Sequence, residues 1–181
     1  VLHHCPRFGL VAVKNNRVEA LYKDPAPGRF AFTGIHLLSP EVFDYLPPEG
    51  YADIISLCYK PMIESGITLN AHTVTGHYWH DIGTIEDYIN ANLDFLGFYG
   101  KKIVQGEDTS IDPTATVKNW AIIGNNVTIE KGAVIDSSII WDNAVIKKGS
   151  HLKDSIAISE DMIIQTASMP EGPYGSPSDR D

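Results

Sequence analysis

Asp81 is the residue of this chain best placed to do chemistry. It lies in Tyr78-Trp79-His80-Asp81-Ile82-Gly83-Thr84-Ile85-Glu86-Asp87-Tyr88, which reads as a strand end, an acidic turn and a capped helix start. In open α/β folds ligands usually sit where a strand hands over to a helix. An aspartate before a helix also serves simply as its cap. The residues alone leave both roles open. His72, His77 and His80 are spaced by five and three, which suits one face of neither a strand nor a helix. They are expected on the surface or in packing, not on a metal.

Several elements must position that turn. Leu10 to Val13 is a short apolar strand, Lys14 to Arg17 a turn, and Val18 to Tyr22 a second strand. Pro25, Pro27 and Gly28 make a loop. Phe30 to Leu38 reads as a mostly buried strand, with Gly34 marking a bulge or a close backbone approach. Ser39-Pro40 starts a short helix, capped by the serine and closed by Pro47-Pro48. A second helix covers 51–65 and is broken or kinked at Pro61. Ile67 to Tyr78 is extended. The clearest helix is 84–96, where Thr84 and Asp87 form a capping box and Ile85, Tyr88, Ile89, Leu93 and Leu96 keep helical spacing.

From Ile111 the period changes. Ile111, Val117, Ile123, Ile129 and Ile135 are six apart, and after one five-residue step so are Ile140, Ile146, Leu152, Ile158 and Ile164. Small residues (Ala115, Ala121, Val127, Ala133, Ser138, Ala144, Ser150) stand just ahead of most of them. This pattern predicts a parallel β-helix whose aliphatic residues point inward and stack, in about three coils. Asn125-Asn126, Lys131-Gly132 and Lys148-Gly149 supply turns. Trp120 and Trp141 are expected in packing or subunit contacts. The Pro/Gly/Ser-rich end from Pro170 is expected to be mobile. The predicted organisation is an α/β part over 1–106, the β-helix over 107–166 and a tail over 167–181.

Bulk properties narrow the function. The chain of 181 residues is 43% hydrophobic and 20% charged, as in ordinary globular proteins. Its net charge of −9 argues against a nucleic-acid partner. The two cysteines, Cys5 and Cys58, have no metal-ligand spacing and fit a reducing cytoplasm. No apolar run approaches the ~20 residues of a membrane span. Val1 to Pro6 has neither a signal-peptide pattern nor an initiating Met, so Val1 is expected to be an internal cut.

Three segments together resemble the sugar-1-phosphate nucleotidyltransferases, in particular the mannose-1-phosphate guanylyltransferase-like branch. They are Phe32-Thr33-Gly34-Ile35-His36 with Ser39-Pro40-Glu41-Val42, the turn Trp79 to Thr84 with Glu86-Asp87-Tyr88, and the six-residue repeats. The resemblance implies a partial, Rossmann-like nucleotidyltransferase domain followed by a left-handed parallel β-helix of hexapeptide repeats. It implies that Asp81 is a ligand of Mg²⁺, as an alternative to its capping role. It implies that Thr33 and Gly34 contact the sugar, Gly34 because a backbone N–H without a side chain can come close to a hydroxyl. Lys23 is similar to a family lysine that meets the sugar phosphate, although Tyr22 stands where the family has an acidic residue; a solvated loop lysine is the other reading. The family's Gly-rich nucleotide loop and its mid-domain metal-binding aspartate have no counterpart here.

The expected reaction joins a nucleoside triphosphate to a sugar-1-phosphate and releases pyrophosphate, with GDP-mannose favoured. Two anions must be aligned and their charge neutralised, which is the work of positioning groups and Mg²⁺. The segment alone is expected to be inactive and to form homo-oligomers through the β-helix. One alternative is a non-catalytic subunit that binds a nucleotide sugar or assembles partners. Another is a hexapeptide acyltransferase with His151 as base, although a turn residue is the plainer reading of His151.

Overall fold

The computed structural model describes residues 1–5, 8–170 and 172, in two compact units, Val1–Asp81 and Ile82–Asp181. The first unit is built on a five-stranded sheet of β1 (Leu2–His3), β2 (Gly9–Lys14), β3 (Arg17–Leu21), β4 (Phe30–Phe32) and β5 (Thr73–Val74), in the order β3-β2-β4-β1-β5. Asn15 and Asn16 close the β2–β3 hairpin with φ of 51° and 58°. Two left-handed residues give a turn whose twist matches that of the strands, and asparagine tolerates the conformation. Only β1 and β5 run parallel; the other pairs are antiparallel. Leu2, Val11 and Ala71 form the small buried cluster against which Val13, Val18, Leu21, Phe30 and Phe32 pack.

Four expectations for this unit are refined. The strand read over 30–38 ends at Phe32, because Gly34 takes a φ of +79° that no extended strand contains. A Cβ on Gly34 would meet nothing within 4 Å, so the glycine serves the backbone angle and not a close approach within the chain. Ser39 makes no side-chain cap, and Pro40–Tyr45 is a 3₁₀ helix. Between Ile67 and Tyr78 the extended chain forms a strand only at Thr73–Val74, and Asn70 makes a single antiparallel bridge to Arg17 of β3. The helix read over 51–65 begins as a π-helix at Ile55–Tyr59 and continues as α1 (Lys60–Glu64). Pro61 has no N–H and crowds the carbonyl four residues before it, so the preceding turn widens.

The second unit begins with Ile82 and holds the helix α2 (Ile85–Phe98). Thr84 caps it: its hydroxyl oxygen accepts from the Asp87 N–H at 3.0 Å, and the hydroxyl donates to the Asp87 carboxylate at 2.7 Å. A β-solenoid of about 3 turns follows. One sheet contains β6 (Ile103–Gln105), β8 (Thr116–Ile123), β10 (Val134–Ile140), β13 (Ser155–Ala157) and β14 (Ile163–Gln165), with β12 (His151–Lys153) also on β10. The other contains β7 (Ser110–Ile111), β9 (Thr128–Ile129) and β11 (Val145–Ile146). All the ladders are parallel except β13–β14.

The inward stack contains Ile123, Ile129, Ile135, Ile140, Ile146 and Leu152, with Ile111 and Val117 packed at its edge. Its last member is Ala157, not Ile158. Ile135 pairs with Leu152 and Ile140 with Ala157, one residue short of three sixes, so each later coil has one five-residue step. The expected positions Ile158 and Ile164 therefore leave the stack and pack with α2 instead. That second cluster joins Ile89, Leu93 and Leu96 to Trp120, Ile139, Ile156 and Met169. Sheet residues thus alternate between the solenoid interior and the helix, and Ser138, Ile139 and Ile140 are all buried. Met169 is buried and the Pro170 carbonyl accepts a 2.7 Å bond from the Trp120 indole, so the chain is anchored there. Residue 171 and residues 173–181 of the expected tail lie outside the described residues.

Candidate functional site

The strand directions of the first unit sort the candidate residues. β3 and β4 are both antiparallel to β2, so Lys23 and Thr33-Gly34 leave the sheet at the same end, with β2 between them. β5 is parallel to β1 and antiparallel in sense to β4, so the segment leading to Asp81 leaves at the opposite end. The loop of 75–81 can reach on the order of 20 Å, enough to return along so short a sheet. The structure therefore groups Lys23, Thr33 and Gly34 by topology and puts Asp81 on a separate loop.

Each residue has a definite local setting. Lys23 is exposed in the loop after β3. Next to it the Arg29 guanidinium lies 3.4 Å from the centroid of the Tyr22 ring and donates to the Asp24 carbonyl at 2.9 Å. This contact closes the 22–29 loop over Gly9, where a Cβ would come within 3.0 Å of the Ala26 and Arg29 carbonyl oxygens. Tyr22 thus holds the loop through a cation–π contact. The Thr33 hydroxyl donates to the Val1 carbonyl at 2.8 Å and accepts the Ile35 N–H at 3.3 Å, so its side chain is committed to the backbone. Gly34 faces open space. Asp81 is exposed. A lone, accessible carboxylate suits a hard cation that keeps water and phosphate oxygens as its other ligands. Among the described residues no group of three or more His, Cys, Asp or Glu could hold a metal by itself.

A cavity of about 330 Å³ opens between Phe32 and Ile35, next to Thr33 and Gly34 in the chain. Its lining is mostly aliphatic, with His36, Ser39, Tyr59, Thr68 and Asn70 as polar members. His36 Nδ1 and the Tyr59 hydroxyl are hydrogen-bonded, and the Phe32 ring meets His36 edge-on at 4.7 Å. Burial lowers the His36 imidazole from its ordinary value and raises the Tyr59 phenol. Sequence reading did not find this pair. His36 belongs to the segment Phe32 to His36, but nothing in the spacing joins it to a tyrosine on a helix of altered pitch. The cavity does not include Lys23, Thr33, Gly34 or Asp81.

The remaining candidates fall elsewhere. His77 offers its backbone carbonyl to His3 at 2.7 Å, and His80 stacks on Tyr78 at 6.3 Å. His72 gives its carbonyl to the Leu2 N–H at 2.8 Å. His151 is exposed at the start of β12. Trp120 is fully buried, and Trp141 donates to the Tyr88 hydroxyl at 3.0 Å. Cys5 and Cys58 are both free, and burial raises the Cys58 thiol. No helix among the described residues is long and apolar enough to cross a membrane.

Comparison with known proteins follows the same division. Residues 3–97 match the nucleotidyl transferase family model, and residues 99–171 match the model of the GMPPB C-terminal domain. The chain is similar to mannose-1-phosphate guanylyltransferase 1 of Arabidopsis thaliana, 28% identical over 87% of this chain and 46% of that protein. It is 24% identical to a UTP–glucose-1-phosphate uridylyltransferase of Synechocystis, over 74% of this chain and 42% of that protein. It is 31% identical to the bifunctional protein GlmU of Methanococcus maripaludis, over 73% of this chain and 31% of that protein. The chain spans less than half the length of each of these relatives. The first two are named for different nucleotides and sugars, and the trait that joins the relatives is the family. A sheet domain matching the nucleotidyl transferase model over more than half the chain, followed by a β-solenoid, makes this chain a member of the sugar-1-phosphate nucleotidyltransferase family.

Proposed function

We propose that this chain is the sugar-side portion of an enzyme that makes a nucleotide sugar, with GDP-mannose as its product. The observation that carries this reading is the tandem match, a nucleotidyl transferase model followed directly by the GMPPB C-terminal domain. In the reaction an oxygen of the sugar-1-phosphate attacks the α-phosphorus of the triphosphate. A new P–O bond forms, the α–β bridge breaks and pyrophosphate leaves with its electron pair.

The chain's own residues bind and orient. The Lys23 ammonium offsets the sugar phosphate charge from an exposed loop held by the Tyr22–Arg29 contact. Gly34 is exposed, with nothing in the space a side chain would fill, and offers its backbone N–H, while Thr33 fixes the strand end that presents it. The Asp81 carboxylate would hold Mg²⁺, which when bound would supply neutralisation of the phosphate charge. The segment alone is inactive on this reading, because a Gly-rich nucleotide loop and a second carboxylate are needed and neither is among its residues. The solenoid serves assembly as a homo-oligomer, and the two free cysteines suit the cytoplasm.

Pyrophosphate release tests this. The full-length protein that contains the chain is expected to prefer GTP with mannose-1-phosphate over UTP or ATP with glucose-1-phosphate, and the 181-residue chain to release none. A preference for a uridylyl or adenylyl pair would overturn the product assignment. The rival reading, a non-catalytic binding or assembly subunit, predicts no turnover with any pair and an unchanged oligomeric state in Asp81→Ala.

A further inference from the structure

β1 is only Leu2–His3, and alternation sends its two side chains to opposite faces. Leu2 enters the buried cluster. His3 pairs in register with Val74, the last residue of β5, and so stands beside the start of the loop that ends in Asp81. Two contacts tie its ring to that loop. His3 Nε2 lies 2.7 Å from the His77 carbonyl oxygen. A carbonyl only accepts, so Nε2 carries the hydrogen. The ring also stacks on Trp79, with centroids 5.9 Å apart and planes 26° apart. Phe8 meets Trp79 edge-on at 5.9 Å and closes the cluster.

The identity of the side chain carries information. His3 Nδ1 is sealed from solvent and has no hydrogen-bond partner among the described residues. A sealed acceptor without a donor destabilises a fold. A phenyl ring would give the same stack on Trp79 without that penalty. What a histidine adds is the bond to the His77 carbonyl. Both contacts land within the four residues before Asp81.

We propose that His3 is a positioning residue: by holding the His77 carbonyl and the Trp79 ring it sets the direction from which the Asp81 carboxylate meets its cation. The inference rests on the reading of Asp81 as a Mg²⁺ ligand. It assigns His3 no contact with substrate.

Two substitutions separate the bond from the stack. His3→Phe keeps an aromatic face and loses the donor, whereas His3→Gln keeps an amide donor and loses the face. In His3→Phe, amide exchange across residues 78–81 is expected to quicken roughly fivefold to tenfold. In the full-length protein its half-maximal Mg²⁺ concentration is expected to rise several-fold, with the rate at saturating Mg²⁺ nearly kept. His3→Gln, which keeps the donor without the stack, is expected to recover part of both. Imidazole nitrogen shifts of the unsubstituted chain are expected to show a protonated Nε2 and a bare Nδ1, a readout that needs no variant to fold. The reversed tautomer, or His3→Phe with unchanged exchange and Mg²⁺ requirement, would overturn the positioning role. Asp81→Asn is the control that keeps the two ideas apart. An Asp81→Asn protein with an unaltered Mg²⁺ requirement overturns the metal reading of Asp81, and the inference with it. An altered requirement there with a silent His3→Phe overturns only the inference.

Discussion

The two units solve the problem of burial in different ways. The solenoid unit buries Trp120, Leu93, Leu96 and five isoleucines almost completely, and its parallel strands satisfy one another coil by coil. The sheet unit buries smaller groups, among them Ala31, Val11 and Cys58, and leaves Leu37 and Tyr51 at 101% and 94% exposure. Three of its five strands have two or three residues. Side-chain contacts to loops hold it together: Arg29 on Tyr22, His3 on Trp79, Thr33 on the Val1 carbonyl. The candidate binding residues all belong to this second kind of structure. Binding loops need open backbone and reachable side chains, and these are found where local stability is low.

The sharpest way to break this contrast is amide exchange measured segment by segment. Strands of the solenoid core (121–157) are expected to exchange slower than 9–32 by two or more orders of magnitude, in line with the spread from local to global opening. Equal rates would end the comparison. Next in size are core truncations. Leu93→Ala is expected to destabilise the solenoid unit by about 2–5 kcal/mol, and Val11→Ala the sheet unit by about 1–2 kcal/mol, both read from denaturant midpoints. Gly124→Ala probes the coil-to-coil turns. A Cβ there would sit 2.3 Å from Asp142 Oδ1, which accepts the Asn125 N–H at 2.7 Å. The crowding should remove about 1–3 kcal/mol, and an unaffected melting temperature would show that the turn yields. Thr84→Ala, which removes the α2 cap, is expected to lower stability by about 1 kcal/mol.

The smallest effect is a pH dependence confined to the sheet unit. Burial holds the folded His36 below its ordinary value of 6.5, so the unfolded chain takes up its proton first as pH falls. The contribution is complete above about pH 6.5 and is lost as pH drops through the lowered folded value. His36→Gln should flatten this slope between neutral and mildly acidic pH. An equal slope in the variant would place its origin in another group.

Legibility in the sequence followed the same division. The repeats announced the solenoid because each inward position is set by local geometry that every coil repeats. The break after Leu152 was hidden because Ile158 continues the six-residue count, while the structure takes Ala157 inward and turns Ile158 toward α2. The helix from Ile85 was legible through Thr84, whose cap forms as expected apart from the detail of what Asp87 accepts. Much less of the sheet unit was readable. Gly34 lies inside an apolar run and its positive φ ends the strand, which composition does not disclose. The His36–Tyr59 and His3–Trp79 pairs join residues far apart in sequence and have no spacing signal. The motif segments pointed to Asp81, Lys23, Thr33 and Gly34, and only strand direction separates the first from the other three.

The measurement closest to the central claim is pyrophosphate release from GTP and mannose-1-phosphate by the full-length protein carrying this chain, with and without Asp81→Asn. Losing one preorganised electrostatic group of this kind is expected to lower the rate by roughly 10²–10³-fold while amide exchange of the solenoid stays unchanged. A variant that releases pyrophosphate at the unsubstituted rate would contradict the account.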